Sequence, residues 1–340
     1  MNEALGAAII GCGTIFPLHA EALRQMDGAM LRVVIDEDRS QAEAAAGEFG
    51  CEAATRYREL LDRNDIQVVH LCTPHHLHAE MAVELLRAGK HVLSEKPMAH
   101  NLEAALQISQ AAERSNAQFG VMFQNRYNES SQIIRNFIDT GELGNLVCMK
   151  GIVTWSRNAS YYSNSTWRGR WETEGGGVLI NQAIHTLDLL QWFGGEVSSI
   201  RGCASADFLH EVIEVEDTVH AALTFKNGTR CLFYATNAYS VNSSVELELI
   251  FERGSLHQHR NRLILNQGGQ ESLLCGPPFL SGETGTAAGK SYWGYSHGRL
   301  ISDFYNHIRE GRKFWIDERE GLKTMRLLSD LYASPQIRRP

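Results

Sequence analysis

Short apolar runs alternate with helical stretches over residues 1–123. The runs are Ala7 to Ile10, Leu31 to Ile35, Val68 to Cys72, His91 to Ser94 and Phe119 to Phe123. Between them, Leu18 to Met26, Ala42 to Phe49, Ala79 to Ala88 and Leu102 to Ser115 carry apolar residues at helical spacing. Buried strands alternating with helices predict a parallel sheet covered on both faces. From about residue 124 the pattern changes. A helix at Ser131 to Asp139, a strand around Val147 to Trp155 and a helix from Val178 to Trp192 come first. Strands follow at Val197 to Ala204, Asp217 to Phe225, Thr229 to Ala235, Ser244 to Phe251 and Gly254 to Leu265. Their near-alternation of apolar and polar positions predicts a largely antiparallel sheet with one covered face. A Gly/Ser/Thr/Pro-rich stretch, 276–294, reads as a long loop, and helices at 298–309 and 318–332 close the chain.

Two patterns imply two domains, and a length of 340 residues is indeed too great for one ordinary core. The chain is 43% hydrophobic and 21% charged, with a formal net charge of −8 and scattered basic residues. That balance speaks against a nucleic-acid or membrane-surface partner. Met1-Asn2-Glu3 lacks the basic opening of a secretory leader, and no apolar stretch reaches bilayer-spanning length. The seven cysteines are odd in number, with no Cys-x-x-Cys, and several lie in apolar runs where a thiol behaves as a small hydrophobe. A reducing cytoplasm is the expected compartment.

The first run leads straight into Gly11-Cys12-Gly13-Thr14-Ile15-Phe16. Glycines there let a pyrophosphate approach a helix N-terminus, although Phe16 stands where the dinucleotide fingerprint has its third glycine. Asp36 ends the second run at the spacing of a carboxylate that binds adenosine ribose hydroxyls and repels a 2′-phosphate. NAD is the expected cofactor. Arg39 keeps NADP open, since it could reach a 2′-phosphate or stack on adenine. The expected fold class is α/β: a Rossmann dinucleotide-binding domain over 1–123, then an α+β domain over 124–340 whose last helix could pack back on the first.

Glu95-Lys96-Pro97 ends the fourth run, which aims Lys96 at the crevice where open α/β sheets bind ligands. His75, His76 and His78 have no carboxylate or cysteine at a zinc spacing, so no metal is expected and His78 is placed near cofactor or substrate. In the second half, Gly175-Gly176-Gly177 opens a helix on which Asn181, His185 and Asp188 share one face among apolar neighbours. That face is either a pocket wall or a core histidine partnered by Asp188. Trp167-Arg168-Gly169-Arg170-Trp171 offers aromatic faces for sugar CH groups and guanidinium for hydroxyls, carboxylates or phosphates. The alternative is a loop that packs its own aromatics.

With these residues in place, the chain resembles the glucose–fructose oxidoreductase / inositol dehydrogenase / MocA family over nearly its whole length. The matching motifs are Gly11-Cys12-Gly13, Thr73-Pro74 with His78, Gly89 to Val92 leading to Glu95-Lys96-Pro97, Gln124-Asn125-Arg126-Tyr127, and the Gly175 to Asp188 block. The resemblance implies a C-terminal domain around a large open sheet, through which copies form dimers or tetramers. It implies hydride transfer between NAD or NADP and a hydroxyl or keto carbon of a sugar, cyclitol or derivative. Lys96 and His185 match the family's catalytic pair, with the Lys96-Pro97 peptide usually cis. The implied cofactor set adds Thr73, Pro74, His78, Glu95 and Lys96 to Gly11, Gly13, Thr14, Ile15, Asp36 and Arg39. The implied substrate set is Asn181, Arg126, Tyr127, Trp167 and Arg168. Many polyol-oxidising members have aspartate where this chain has Asn181, which turns the expectation away from a simple inositol dehydrogenase. Two rival readings stay open: an NAD-retaining glycoside-cleaving enzyme and a non-catalytic cofactor-binding regulator.

Overall fold

The computed structural model describes residues 4–260, 262–276 and 296–333, so the loop expected at 276–294 lies, beyond Gly276, outside them. The chain forms two compact units: Met1–Gln124 with Ser296–Arg326, and Asn125–Tyr295 with Leu327–Pro340.

The first unit contains β1 (Leu5–Ile10), α1 (Phe16–Gln25), β2 (Ala29–Ile35), α2 (Arg39–Phe49), β3 (Glu52–Ala54) and β4 (Val68–Leu71). It continues with α3 (His78–Arg87), β5 (His91–Ser94), α4 (Leu102–Glu113) and β6 (Phe119–Val121). The strands are all parallel, in the order β3-β2-β1-β4-β5-β6. Residues Ala7 to Ile10 and Val68 to Leu71 are buried, as strands sandwiched between helices must be. Helix starts are set by short polar side chains: Asp38 accepts from the Ser40 amide and Asn101 from the Ala104 amide. β3 is not evident in the sequence, because three residues at a sheet edge carry no period. Strand order reverses between β1 and β4, so the crevice lies at the carboxyl ends of these neighbours.

The second unit holds α5 (Glu129–Thr140), β7 (Leu146–Thr154), α6 (Ala159–Ser163), α7 (Val178–Asn181) and α8 (Ile184–Gly194). Then come β8 (Val197–Ser205), β9 (Thr218–Phe225), β10 (Arg230–Thr236), β11 (Glu246–Phe251), β12 (Gly254–His259), β13 (Arg262–Gln267) and β14 (Gln270–Cys275). Among the described residues they form an eight-stranded sheet, β14-β13-β12-β11-β7-β10-β9-β8, antiparallel except for β7 beside β10. The strand expected at Gly254 to Leu265 is a hairpin, turned at Arg260, whose φ is +49°. β14 returns from β13 through Gly268-Gly269, both at positive φ, as a two-residue hairpin requires.

The helix expected at Val178 to Trp192 is two helices. The Ala183 amide reaches back to the Val178 carbonyl, the ladder restarts at Ile184, and the Gln182 side chain turns aside to Asn237 and Tyr161. Asn181 and His185 therefore do not share one continuous helical face.

The closing helices are α9 (His297–Arg309) and α10 (Glu318–Tyr332). The sequence reading ran the second domain to 340; here 296–326 belongs with the first unit, and the division falls inside α10. α9 packs on α1, Phe304 lies against Gly120, and the Val121 amide donates to the Ile316 carbonyl. No described helix is long and apolar enough to cross a membrane.

Candidate active-site residues

Gly11 follows β1 with φ +95°, and a Cβ there would meet the Cys72 carbonyl oxygen at 2.5 Å. Only glycine permits both the conformation and the close passage of the β1 and β4 exits. Gly13 is exposed, with no heavy atom within 4 Å of where its Cβ would stand. Thr14 is exposed and Ile15 half-buried at the start of α1, which no side chain caps. A bare helix N-terminus behind an open glycine turn has the form of a pyrophosphate cradle. Phe16, in place of the third glycine, is buried against Phe49 with ring centroids 5.5 Å apart, so it packs the helix and stays out of the cradle.

Asp36, just past β2, accepts from the Cys12 amide at 2.8 Å and the Asp38 amide at 3.0 Å. A carboxylate accepts about four hydrogen bonds, so capacity remains for ribose hydroxyls. These residues fit a dinucleotide. Arg39 is 81% exposed at its side chain and pairs with Glu43 at 2.7 Å, one helical turn on.

Thr73 and Pro74 leave β4, and Lys96, half-buried, stands two residues past β5, with the Lys96-Pro97 peptide cis. Two residues expected to touch cofactor are instead internal. His78 is fully buried, with Nδ1 2.8 Å from the Pro97 carbonyl and Nε2 2.9 Å from the Thr73 carbonyl. It ties the Lys96-Pro97 turn to the Thr73-Pro74 turn and presents no ring nitrogen to a ligand. Glu95 is 7% exposed and turns inward. Its Oε1 lies 3.0 Å from His19 Nε2 and 3.8 Å from His297 Nε2, while its Oε2 accepts the Lys96 amide at 3.2 Å.

Behind Glu95 runs a buried chain: His19 Nδ1 is 2.8 Å from His70 Nδ1, and His70 Nε2 is 3.0 Å from the Tyr305 hydroxyl. Each ring nitrogen of His19 and of His70 thus has a buried partner. Burial alone would raise the Glu95 carboxyl. The hydrogen bond and positive potential of His19, with His297 and Lys96, outweigh it and lower it from 4.5 to about 2. Burial also holds His70 well below its ordinary value. The sequence reading missed this chain, because its members lie on α1, β4, β5 and α9 with no common spacing.

In the second unit, Gly176 and Gly177 make room for neighbouring protein. A Cβ at Gly177 would overlap the Glu216 carbonyl oxygen, and one at Gly176 the Tyr332 hydroxyl. The Glu216 carboxylate accepts from the Gly177 amide at 2.9 Å, the Leu179 amide at 3.0 Å and the Tyr332 hydroxyl at 2.9 Å. Asn181 is half-buried, and its Nδ2 donates to Glu174 Oε1 at 2.5 Å. His185 is half-buried at the start of α8.

Asp188 is partnered from another segment of the chain. It forms a buried two-pronged pair with Arg126, Oδ2 to Nε at 2.9 Å and Oδ1 to Nη2 at 2.7 Å. Arg126 is 2% exposed and lies 5.5 Å over the Trp192 ring, which removes it from the expected substrate set. Tyr127 is half-buried beside it. The Arg168 guanidinium lies 4.6 Å from the Trp167 ring centre and 4.9 Å from that of Tyr161, a cation held between two aromatic faces.

Comparison with known proteins bears on the chain as a whole. The model of the oxidoreductase family with an NAD-binding Rossmann fold, GFO_IDH_MocA, matches residues 5–123, and the GFO/IDH/MocA C-terminal domain matches residues 131–257. A levoglucosan dehydrogenase of Pseudarthrobacter phenanthrenivorans is 28% identical over 91% of this chain and 90% of its own. A glucose-6-phosphate 3-dehydrogenase of Bacillus subtilis is 33% identical over 54% of this chain and 52% of its own. The WlbA dehydrogenase from Bordetella pertussis, solved with NADH and UDP-GlcNAcA, superimposes with a TM-score of 0.84 at 28% identity, covering 98% of this chain and 96% of that one.

Proposed function

Because the chain belongs to the GFO/IDH/MocA oxidoreductase family, we propose that Lys96 and His185 share the hydroxyl proton in its reaction. The chain is an NAD-dependent oxidoreductase acting on CH–OH groups of sugar-like substrates. Bound NAD supplies the hydride acceptor. Gly11, Gly13, Thr14 and Ile15 hold its pyrophosphate at the N-terminus of α1, and Asp36 holds its adenosine ribose. Lys96 takes the proton of the substrate hydroxyl or stabilises the developing alkoxide, and His185 passes the proton on. Asn181 hydrogen-bonds a neighbouring hydroxyl, and Trp167 with Arg168 receives the sugar ring, with Tyr127 at its side.

The observation that carries this reading is Lys96. It is half-buried at the carboxyl end of β5, beside β4 and the point where strand order reverses, directly after a buried carboxylate. We also assign a second copy of the chain to the outward sheet face, where Leu232 is 56% exposed near Tyr234 and Ile152, and a reducing cytoplasm to its seven free cysteines.

The test is a screen of sugars, cyclitols, glycosides and nucleotide-sugar acids for reduction of NAD, followed by Lys96→Ala on the best substrate. Lys96→Ala should lower kcat by about 10²-fold or more while NAD affinity holds. Near-normal kcat would overturn the assignment.

A further inference from the structure

Glu174 was absent from every sequence motif, yet it accepts a hydrogen bond from Asn181. It is 1% exposed and closes the turn in which the Glu174 amide donates to the Arg170 carbonyl at 2.9 Å. Its Oε2 accepts the Gly169 amide at 2.5 Å, and its Oε1 accepts Asn181 Nδ2, also at 2.5 Å. An ionised carboxylate is acceptor-only, so it meets only the NH₂ end of an amide. The carbonyl end of Asn181 must then point the other way. Resting on the reading that Asn181 contacts substrate, we propose that Glu174 is a positioning residue that locks the Asn181 amide, so that Asn181 offers its carbonyl oxygen to substrate and selects a hydrogen-bond donor there, a sugar hydroxyl.

The same geometry accounts for asparagine at position 181. Aspartate there would set two carboxylates against each other at 2.5 Å in a buried place, and one would have to hold a proton. Asn181→Asp should therefore lower activity. Burial pushes Glu174 up to about 7, against the pull of the Gly169 and Asn181 donors and of Arg168. Glu216, Tyr162 and Tyr332 are the other titratable groups near it. The lock thus operates in the ionised form, and the test belongs well above neutral pH.

The experiment is a reciprocal swap. Glu174→Gln keeps the shape and an acceptor for the Gly169 amide but turns a donor toward position 181, which reverses the Asn181 amide. Asn181→Asp opposes two acceptors. The double variant Glu174→Gln/Asn181→Asp restores one donor facing one acceptor and again leaves a carboxylate oxygen for substrate. Each single should lower kcat/KM for the sugar by roughly tenfold to a hundredfold, the worth of a mispaired buried polar group. The double should recover to within about threefold of the parent, although independent losses would multiply.

A second measurement does not depend on turnover. In Glu174→Gln the exposed NH₂ should improve binding of the keto product relative to the alcohol, read as the ratio of their dissociation constants by calorimetric titration. A double variant as poor as the product of the singles, or a Glu174→Gln enzyme with parental kcat/KM and parental ratio, overturns the proposal. If Lys96→Ala still abolishes turnover, that result sinks the lock alone. An active Lys96→Ala enzyme sinks the functional reading beneath it.

Discussion

Glu95 in the first unit and Glu216 in the second are both buried, at 7% and 3% exposed, yet their carboxyls move in opposite directions from 4.5. Burial penalises the charge in both. Glu95 has His19, His297 and Lys96 around it and falls to about 2. Glu216 is met by the amides of Gly177 and Leu179 and the phenol of Tyr332, and rises to about 7. Glu174 in the same unit also rises to about 7. Neutral dipoles solvate a buried carboxylate partly, whereas partners that carry positive potential reverse the penalty.

The two units should therefore respond oppositely to pH. For Glu95 the folded value lies below the unfolded one, so its stabilisation is full above about 4.5 and is lost as pH falls toward about 2. For Glu174 and Glu216 the folded value lies above the unfolded one. Below about 4.5 both states are protonated and nothing is lost; as pH rises from 4.5 to about 7 the unfolded chain ionises first and stability falls. Each group contributes on the order of 3 kcal/mol to that decline.

The largest expected effect comes from breaking the first side of the contrast. His19→Leu removes the Glu95 partner and strands a buried carboxylate, which should cost the first unit about 3–5 kcal/mol. Pulse proteolysis in urea, with fragments assigned to each unit by mass spectrometry, measures it. A first unit as stable as the parent at neutral pH would show that His19 is not what holds the charge.

Next in size, Glu216→Gln sharpens the other side. The parental second unit should lose stability between about pH 5 and pH 7.5. The variant should lose roughly half as much, since only Glu174 then titrates. An unchanged slope would assign the titration elsewhere.

A smaller effect separates the two charged candidates for cofactor choice. Asp36→Ala should shift the kcat/KM ratio of NADP to NAD upward by about tenfold or more. Arg39→Ala should change stability by less than about 0.5 kcal/mol and the ratio hardly at all, as expected for an exposed residue paired along its own helix. A collapse of NADP use in Arg39→Ala would reverse these roles.

Much of this was legible in the chain itself. Apolar runs broken by helical stretches determined the parallel sheet, because strands covered on both faces read as near-continuous apolar runs. The Gly11 turn, Asp36 and Lys96 were readable because each stands at a strand exit, where backbone geometry leaves few residue types. The outer hairpins were harder: Arg260 turns tightly inside what reads as one strand, and Gly268-Gly269 leads into a further strand that the pattern does not announce. Roles that depend on who faces whom were decided only by tertiary structure. Arg126 became the buried partner of Asp188, His78 a clamp between two turns, and Glu174 the holder of Asn181. Periodicity reports which face a residue lies on. It does not report which distant element arrives there, and the burial and hydrogen bonds that set a polar side chain's charge come from that element.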